Sequence, residues 1–302
     1  MSCEALLETR EAVPRYRVGA VVAEARSIHR GFANWLALLG AIGVGRVRGC
    51  PPALDLRARA GPNMRTPAGD RSWWTAVECF GRDNYRLASC HLPPGPVVID
   101  VGANIGAFAL AVLALRPEAR VAAYEASPLA LATLRANVAS NRAEGAVTVH
   151  HAAVTGLAEP ATVWLYEHIG DLCTSSLLGQ GPVTAPQTGE TDAAGLSIPE
   201  FGAERTEVPA VALSELLASE PQEVDLLKID VEGAEYTIVE DTPLHLLGKV
   251  RRLVLEYHRV PGHGIGELAD RLGEAGLCWE RHERSALPYQ GMGWWVKPPH
   301  KW

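Results

Sequence analysis

The sequence predicts an α/β protein: a doubly wound, mostly parallel seven-stranded sheet with an antiparallel edge, plus an N-terminal extension of helices and a hairpin. From residue 97 onward, short apolar runs typical of buried strands alternate with segments of helical periodicity. Repeated strand–helix units favour a parallel sheet covered on both faces. The last two strands, "LCWERHE" and "GWWVKP", are joined by a short segment, which favours antiparallel pairing at the edge.

We expect residues 1–90 to form an extension that packs on a core domain, residues 91–302. Up to about residue 45, apolar residues recur at three- and four-residue steps, which predicts helix. The stretch "ALDLRARAGPNMRTPAG" alternates apolar and polar residues around a glycine–proline turn, which predicts a hairpin. "SWWTAVECFGRDNYRLASCHL" then predicts a short helix, a break and a further helical turn.

The core domain is expected to alternate between strands and helices. In chain order the strands are "VVIDV", "RVAAYEA", "VTVHHAAVT", "ATVWLYE", "DLLKIDV", "RRLVLEYH" and the final pair. The helices between them are "AFALAVLALR", "PLALATLRANVASN", "VALSELLAS", "AEYTIVEDTPLHLL" and "GIGELADRLGEAG". Residues 167–206 interrupt this rhythm and are rich in Gly, Pro, Thr and Ala. A structureless stretch of this length inside a compact domain favours a functional loop, so we expect a flap near the active site rather than a surface insertion.

Composition narrows the class of protein. The chain has 302 residues and a formal net charge of −7, which argues against nucleic acid as the main partner. The longest apolar run near the start, "FANWLALLGAIGVG", is shorter than a membrane span and lies too far along the chain for a signal peptide. The six cysteines are scattered and form no zinc-binding spacing. We therefore expect a cytoplasmic protein without a membrane partner.

The turn after the first strand of the core domain is the expected ligand site, because ligands of doubly wound sheets bind at the carboxyl ends of the strands. This turn carries Gly102 and Gly106. A dinucleotide fingerprint would need glycine where Asn104 and Ala107 stand, and no lysine follows to make a P-loop. Asp100 precedes the turn and would repel a pyrophosphate.

Glu125 ends the second strand, where an acidic side chain accepts hydrogen bonds from both hydroxyls of a ribose. Together with the glycine turn, it predicts a nucleoside ligand that carries an amino acid and no pyrophosphate. S-adenosylmethionine has this chemistry. The alternative is that Glu125 is a solvated carboxylate at a strand end.

Four stretches, "VVIDVGANIGAFAL", "YEASP", "LRANVASN" and "VDLLKIDVEGAEYTIVE", together resemble the FkbM family of S-adenosylmethionine-dependent methyltransferases. The similarity runs from about residue 85 to the end of the chain. The combination of "DVGANIG" with "LLKIDVEGAE" is quite specific, whereas the first motif alone would indicate only a class I methyltransferase.

The resemblance implies a Rossmann-like core and methyl transfer to a hydroxyl, often on a polyketide, sugar or other specialised metabolite. It implies that Ala152 and Ala153 border the adenine and that the serine-rich "CTSSL" segment brings Ser175 to the cofactor. The remaining cofactor contacts that it implies lie in the first turn and at the end of the second strand: Asp100, Gly102, Asn104, Gly106, Glu125 and Ala126.

A hydroxyl acceptor must lose its proton to a side chain or with the help of a metal. Asp230 and Glu232 follow one strand, and the next strand ends in Glu256 and His258. Because histidine titrates near neutral pH, we take His258, Asp230 and Glu232 as the candidate catalytic residues. The alternative is that Glu256 and His258 are structural hydrogen-bonding partners.

Oxygen ligands with one imidazole would suit Mg²⁺ or Mn²⁺. The spacing of these residues is not diagnostic, so no metal is expected; if one binds, the candidate ligands are Asp230, Glu256 and His258. Three aromatic residues precede the core domain in the segment that would cover the crevice, namely Trp73, Trp74 and Tyr85. We expect them to contact the acceptor, with plain packing as the alternative.

The predicted function is therefore an S-adenosylmethionine-dependent O-methyltransferase that acts on a hydroxyl of a small molecule. The alternatives are methylation of a carboxylate or an amine, and a catalytically silent module that binds S-adenosylmethionine. The sequence pattern predicts no particular oligomeric state.

Overall fold

The computed structural model describes residues 18–156, 161–168, 177, 203–258, 260–284 and 290–298. The predicted helix before residue 18 and the predicted cofactor residue Ser175 lie outside these residues. Most of the predicted flap also lies outside them.

The extension begins with helices α1 (Val18–Gly31) and α2 (Trp35–Arg48), and continues with the antiparallel strands β1 (Leu54–Arg57) and β2 (Asn63–Thr66). The predicted helices and hairpin are thus confirmed for the described residues. Buried and exposed positions alternate along both strands, so that Leu56 and Met64 face the core.

A short irregular helical segment leads from the hairpin to the core domain. Helix α3 (Trp73–Val77) runs into a single π-helical turn, Glu78–Arg82, and a 3₁₀ turn follows at Leu87–Ser89. This matches the predicted helix, break and further turn. The π-helical turn lies against α1, and a Cβ on Gly81 would come within 2.5 Å of the Ser27 carbonyl oxygen. The contact between the two elements therefore requires glycine.

The main sheet has seven strands in the order β11-β12-β10-β9-β3-β4-β5. They are β3 (Val97–Val101), β4 (Arg120–Glu125), β5 (Val147–His151), β9 (Leu226–Ile229), β10 (Arg252–Tyr257), β11 (Cys278–Arg284) and β12 (Gly291–Val296). Its helices are α4 (Ala107–Leu115), α5 (Pro128–Ser140), α6 (Leu213–Ser219), α7 (Glu235–Asp241), α8 (Leu244–Leu247) and α9 (Ile265–Glu274). The predicted fold class is confirmed.

The predicted antiparallel pairing of the last two strands at the edge of the sheet is confirmed, with β12 as the one strand that runs against the others. β12 pairs antiparallel with both β10 and β11, so the edge strand β11 runs parallel to the rest of the sheet. A short loop between the last two strands fixes their mutual pairing but not which of them lies outside. The inner position of β12 explains why Trp294 and Trp295 are both buried.

A second, three-stranded sheet of order β6-β8-β7 was not predicted. The expected strand "VTVHHAAVT" divides into β5 and β6 (Ala153–Thr155), and β7 (Thr162–His168) pairs antiparallel with β8 (Ala203–Ala212). The predicted bounds of the flap, residues 167–206, are therefore wrong at both ends. The predicted helix "VALSELLAS" begins two residues later than expected, because Val211 and Ala212 belong to β8.

Two large apolar clusters cover the two faces of the main sheet. One joins α4 and α5 to the extension through Ile28, Phe32 and Met64, and the other lies beneath α6–α9. All five residues of β3 are buried, as expected for a central strand covered on both faces. Among the described residues, no helix has the length and apolar character that crossing a bilayer requires.

Candidate active site

A cleft opens at the carboxyl ends of β3, β4, β9 and β10. We call the part beside β3 and β4, where the sequence predicts the methyl donor, the donor half. The part beside β9 and β10, beneath α3 and the π-helical turn, is called the acceptor half. The lining includes Gly102, Asn104, Tyr124, Glu125, Ala126, Ala152, Ala153, Val154, Leu165 and Leu177 in the donor half. The acceptor half is lined by Trp74, Thr75, Glu78, Asp230, Val231, Glu232, Glu256 and Gln290.

The turn after β3 brings the backbone to the floor of the cleft. Gly102 has a φ of 77°, and a Cβ at this position would lie 1.8 Å from the carbonyl oxygen of Asp230. Gly106 has a φ of 86°, and its Cβ would meet Leu134 at 2.6 Å. Both positions therefore require glycine, one for contact with the neighbouring strand end and one for packing of α5.

Glu125 is held at the rim of this turn by two backbone donors. The amides of Asn104 and Ser127 donate to its two carboxylate oxygens at 2.7 and 2.8 Å. Burial raises the pKa of Glu125 to about 7, although these two hydrogen bonds favour the ionised form. The carboxylate lines the cleft in a fixed orientation, where an incoming hydroxyl pair would meet it.

Asp100 and Gly106 lie beneath the turn and are not among the residues that line the cleft. Asp100 is fully buried, and the ammonium of Lys228 lies 3.4 Å from its carboxylate. Lys228 also donates to the Gly102 carbonyl at 2.6 Å and lies 3.4 Å from Asp230. Burial opposes the charged form of Lys228, but Asp230 and Asp100 outweigh it and raise its pKa. This lysine therefore ties the two strand ends together, and direct cofactor contact by Asp100 and Gly106 stays a prediction.

The acceptor half contains four carboxylates, from Glu78, Asp230, Glu232 and Glu256. Burial, followed by the charges of Glu256 and Asp230, raises the pKa of Glu78 well above its usual range. Burial likewise raises the pKa of Glu232, where His258 opposes the shift and Asp230 adds to it. Burial and then Asp230 raise the pKa of Glu256 to about 7. Carboxyl groups thus crowd one wall of the cleft, and the burial and proximity of the three glutamates favour their protonated forms.

His258 is buried behind this wall and does not itself line the cleft. Its Nδ1 lies 2.8 Å from Glu235, and its Nε2 lies 3.2 Å from Glu232. Glu235 is fully buried and also accepts hydrogen bonds from the amides of Val231 and Gly233. Burial disfavours the charged imidazole, but Glu232 and Glu235 outweigh it and raise the pKa of His258. Of the candidate catalytic residues, Asp230 and Glu232 face the cleft, and His258 supports Glu232 from behind.

The three predicted aromatic residues divide between cleft and core. Trp74 lines the cleft, with the guanidinium of Arg82 4.2 Å from its ring centroid. Trp73 is buried and packs edge-on against Trp74. Tyr85 is also buried, and its hydroxyl donates to Asp230 at 3.0 Å. Of the three side chains, Trp74 is the one that lines the cleft, and contact with an acceptor stays a prediction.

In the part of the chain that the structure describes, Asp230, Glu232 and His258 form a group that could hold a metal ion: one ligand atom from each lies within 4.8 Å of the others. Glu256, named in the set proposed from the sequence, lies further out, with an oxygen 4.0 Å from His258 Nε2. Glu232, which has a φ of 56° in the turn after β9, takes its place, since its carboxylate lies 3.2 Å from the same ring nitrogen.

Sequence reasoning missed Glu78 and Gln290, which line the acceptor half. Glu78 stands alone in the apolar stretch "WTAVECF", and a single carboxylate on a buried helical face could have indicated it. Gln290 donates to Glu256 at 3.1 Å and carries no comparable signal in the sequence.

The strand order, with one antiparallel strand inserted next to the edge, and the glycine turn at the cleft define a class I methyltransferase fold. A family model described as the methyltransferase FkbM domain matches residues 100–276, which is more than half of the chain. The chain belongs to the FkbM methyltransferase family.

Two curated relatives match most of their own length. The chain is 32% identical over 201 residues to the 31-O-demethyl-FK506 methyltransferase FkbM of Streptomyces tacrolimicus, covering 63% of this chain and 76% of that protein. It is 29% identical over 200 residues to the methyltransferase sdnD of Sordaria araneosa, covering 59% and 72%. Among solved structures, magnesium protoporphyrin IX methyltransferase from Synechocystis with bound SAH is 12% identical, with a TM-score of 0.39 and coverage of 74% and 83%.

Proposed function

We propose that this methyltransferase transfers the methyl group of S-adenosylmethionine to a hydroxyl of a small molecule, of the specialised-metabolite or sugar class. The observation that carries the proposal is Glu125, whose carboxylate two backbone amides aim into the cleft beside the glycine turn. A carboxylate held in this way is suited to the two hydroxyls of a ribose, and the site has no glycine or lysine cradle for a pyrophosphate.

The rest of the donor half supports the same ligand. Gly102 lets the backbone approach closely, and the small side chains of Ala126, Ala152 and Ala153 leave room for a flat base. When bound, S-adenosylmethionine supplies an electrophilic methyl group on a sulfonium. The chain's task is to hold an acceptor in line with that group and to exclude water.

The acceptor half would receive the proton that a hydroxyl loses. Asp230 and Glu232 face the cleft, and His258 stabilises negative charge on Glu232 from behind at 3.2 Å. These three residues are the proposed catalytic set, with Trp74 as the surface on which the acceptor rests. The name of the S. tacrolimicus relative, a 31-O-demethyl-FK506 methyltransferase, indicates methylation at an oxygen, which supports a hydroxyl acceptor.

The test is a transfer assay with methyl-labelled S-adenosylmethionine and a panel of hydroxyl-bearing polyketides and sugars. Each acceptor is paired with an analogue in which that hydroxyl is blocked. We expect label in the product of the parent acceptors alone, as an ether that resists mild alkali.

Two other outcomes would contradict the proposal. An alkali-labile product would indicate a carboxylate acceptor, and label on nitrogen would indicate an amine, which the four carboxylates would attract. Tight binding of S-adenosylhomocysteine without transfer to any acceptor of the panel would indicate a silent binding module.

A further inference from the structure

The acceptor half of the cleft contains three side chains whose oxygen and nitrogen atoms could bind a metal ion. Oxygen atoms of Asp230 and Glu232 and a ring nitrogen of His258 lie within 4.8 Å of one another. Ligand atoms about 2.1 Å from one cation lie at most about 4.2 Å apart, so a small side-chain adjustment would let all three bind the same ion. The donors come from the ends of the adjacent strands β9 and β10, which fixes their relative positions.

The histidine distinguishes this group from a cluster of acidic residues. Glu235, which is fully buried and not among the three donors, holds His258 Nδ1 at 2.8 Å. Metal-ligating histidines commonly have this arrangement, in which a carboxylate fixes the ring and leaves Nε2 as the ligand. Here Nε2 points toward Glu232, at 3.2 Å, and toward Glu256, at 4.0 Å.

Two further residues with side-chain oxygen atoms line the same cleft. Glu256 and Gln290 both line the cleft, and Gln290 donates its amide N–H to Glu256. The side-chain amide oxygen of Gln290, Oε1, is buried and accepts no hydrogen bond from the described residues. The nearest lysine, Lys228, is shared between Asp230 and Asp100 and lies beneath the floor of the cleft rather than in its lining.

We propose that Asp230, Glu232 and His258 bind a divalent cation of the Mg²⁺ or Mn²⁺ class, with Glu256 and Gln290 as outer partners. Hard oxygen donors suit both ions, and the imidazole favours Mn²⁺. Cation binding at these residues does not depend on the proposed function, whereas the catalytic role of the cation rests on that function. With Asp230, Glu232 and His258 holding it, the cation would polarise the acceptor hydroxyl, and Glu256 would receive the proton in place of Asp230 or Glu232. The oxygen would form the new bond to carbon as the carbon–sulfur bond breaks with its electron pair on sulfur.

The experiment titrates Mn²⁺ into the chelator-treated full chain and follows the loss of the free-ion signal by electron paramagnetic resonance. We expect saturable binding of one ion per chain. Asp230→Asn and Glu232→Gln should each weaken it at least tenfold, and Glu235→Gln about 10- to 100-fold, because the imidazole loses the group that orients it.

The matched control is Glu78→Gln, which removes a carboxylate from the same wall but not from the donor set. It should leave Mn²⁺ affinity within about twofold, whereas diffuse attraction to negative charge would make all four variants equal. Absence of saturable binding, or a loss in Glu78→Gln as large as in Glu232→Gln, would overturn the proposal. Binding of S-adenosylhomocysteine is measured in the same samples: Mn²⁺ binding without it would remove the proposed function and leave the site.

Discussion

The donor and acceptor halves of the cleft are built by different means. The donor half has its polar contacts in the turn after β3 and at the end of β4, where backbone amides hold one oriented carboxylate, and residues near 153 and 165 add small and apolar side chains. The acceptor half is assembled from four segments that lie far apart in sequence, around residues 78, 230, 256 and 290, and four of its side chains end in carboxyl groups. The first is determined by local chain geometry, and the second by how distant elements pack.

Breaking the link between the distant segments should have the largest effect. Glu235→Ala removes the buried carboxylate that joins the turn after β9 to His258 and leaves the imidazole facing an apolar gap. Removing one partner of a buried ion pair costs about 3–5 kcal/mol. Urea unfolding should show a loss of free energy of this size. An effect below about 1 kcal/mol would mean that the acceptor half does not depend on this contact.

In the donor half, substitution of Gly102 should have the largest effect on stability. Gly102→Ala would place a Cβ 1.8 Å from the Asp230 carbonyl oxygen at a φ of 77°. We expect a loss of roughly 3 kcal/mol or more in the free energy of unfolding, since the left-handed conformation and the clash add. The control is Gly43→Ala, at a helical position where an added Cβ would meet no atom within 4 Å. This control should be neutral or stabilising by up to about 1 kcal/mol.

Affinity for S-adenosylhomocysteine should depend on the donor half of the cleft. Glu125→Ala should weaken the binding of S-adenosylhomocysteine by roughly 1.5–3 kcal/mol, the contribution of hydrogen bonds to a charged group. Glu144→Ala, at an exposed position, serves as the control. Calorimetric titration measures both variants. If Glu125→Ala binds like the wild type, the ribose contact lies elsewhere.

Glu125 should also make the affinity for S-adenosylhomocysteine depend on pH, and the direction of this dependence follows from its pKa. Because burial raises the pKa of Glu125 to about 7, the carboxyl is protonated below this value and ionised above it. Only the ionised form accepts hydrogen bonds from both hydroxyls, so affinity for S-adenosylhomocysteine should rise several-fold from about pH 6 to about pH 8 and then level off. Glu125→Gln should remove this rise. A rise of equal size in Glu125→Gln would assign the titration to another group.

The smallest effect is expected at the acceptor surface. Arg82→Ala removes the guanidinium that lies 4.2 Å from the Trp74 ring centroid. The loss in the free energy of unfolding should be about 0.5–1 kcal/mol, as for a partly exposed cation–π contact. Urea unfolding checks it, with Arg142→Ala at an exposed position as the reference. A loss above about 2 kcal/mol would mean that Arg82 anchors the π-helical turn itself.

The sequence revealed the donor half well, because its signals are local. Two glycines at fixed spacing and a carboxylate at the next strand end identify the turn, and Glu125 indeed lines the cleft. Of the acceptor half, the sequence indicated Asp230 and Glu232 but not their surroundings. The burial of His258 against Glu235 depends on where α7 packs, and Glu78 enters through a π-helical turn of the extension. Neither arrangement produces a periodic pattern in the sequence from which it could have been predicted.

The missed strand β8 has a similar physical cause. Pro209 argues against an inner strand, because proline cannot donate a ladder hydrogen bond. The Ala210 amide donates toward β7, so the nitrogen of Pro209 faces the opposite side. There the pairing with β6 begins only at Ala210. Proline is tolerated because its partner strand is short, which a single sequence does not show.

The antiparallel ladder of β7 and β8 has a consequence for how this chain can change. It brings residue 168 beside residue 203, so the chain that leaves the sheet at one position returns at its neighbour. Doubling or halving the number of residues between two loop ends held this close alters the free energy of loop closure by only about 0.6 kcal/mol. Leu177, which lies between these two ends in the sequence, lines the cleft. Changes in the length of the intervening segment should therefore cost little in the pairing of β7 with β8 and leave the glycine turn and its carboxylate in place.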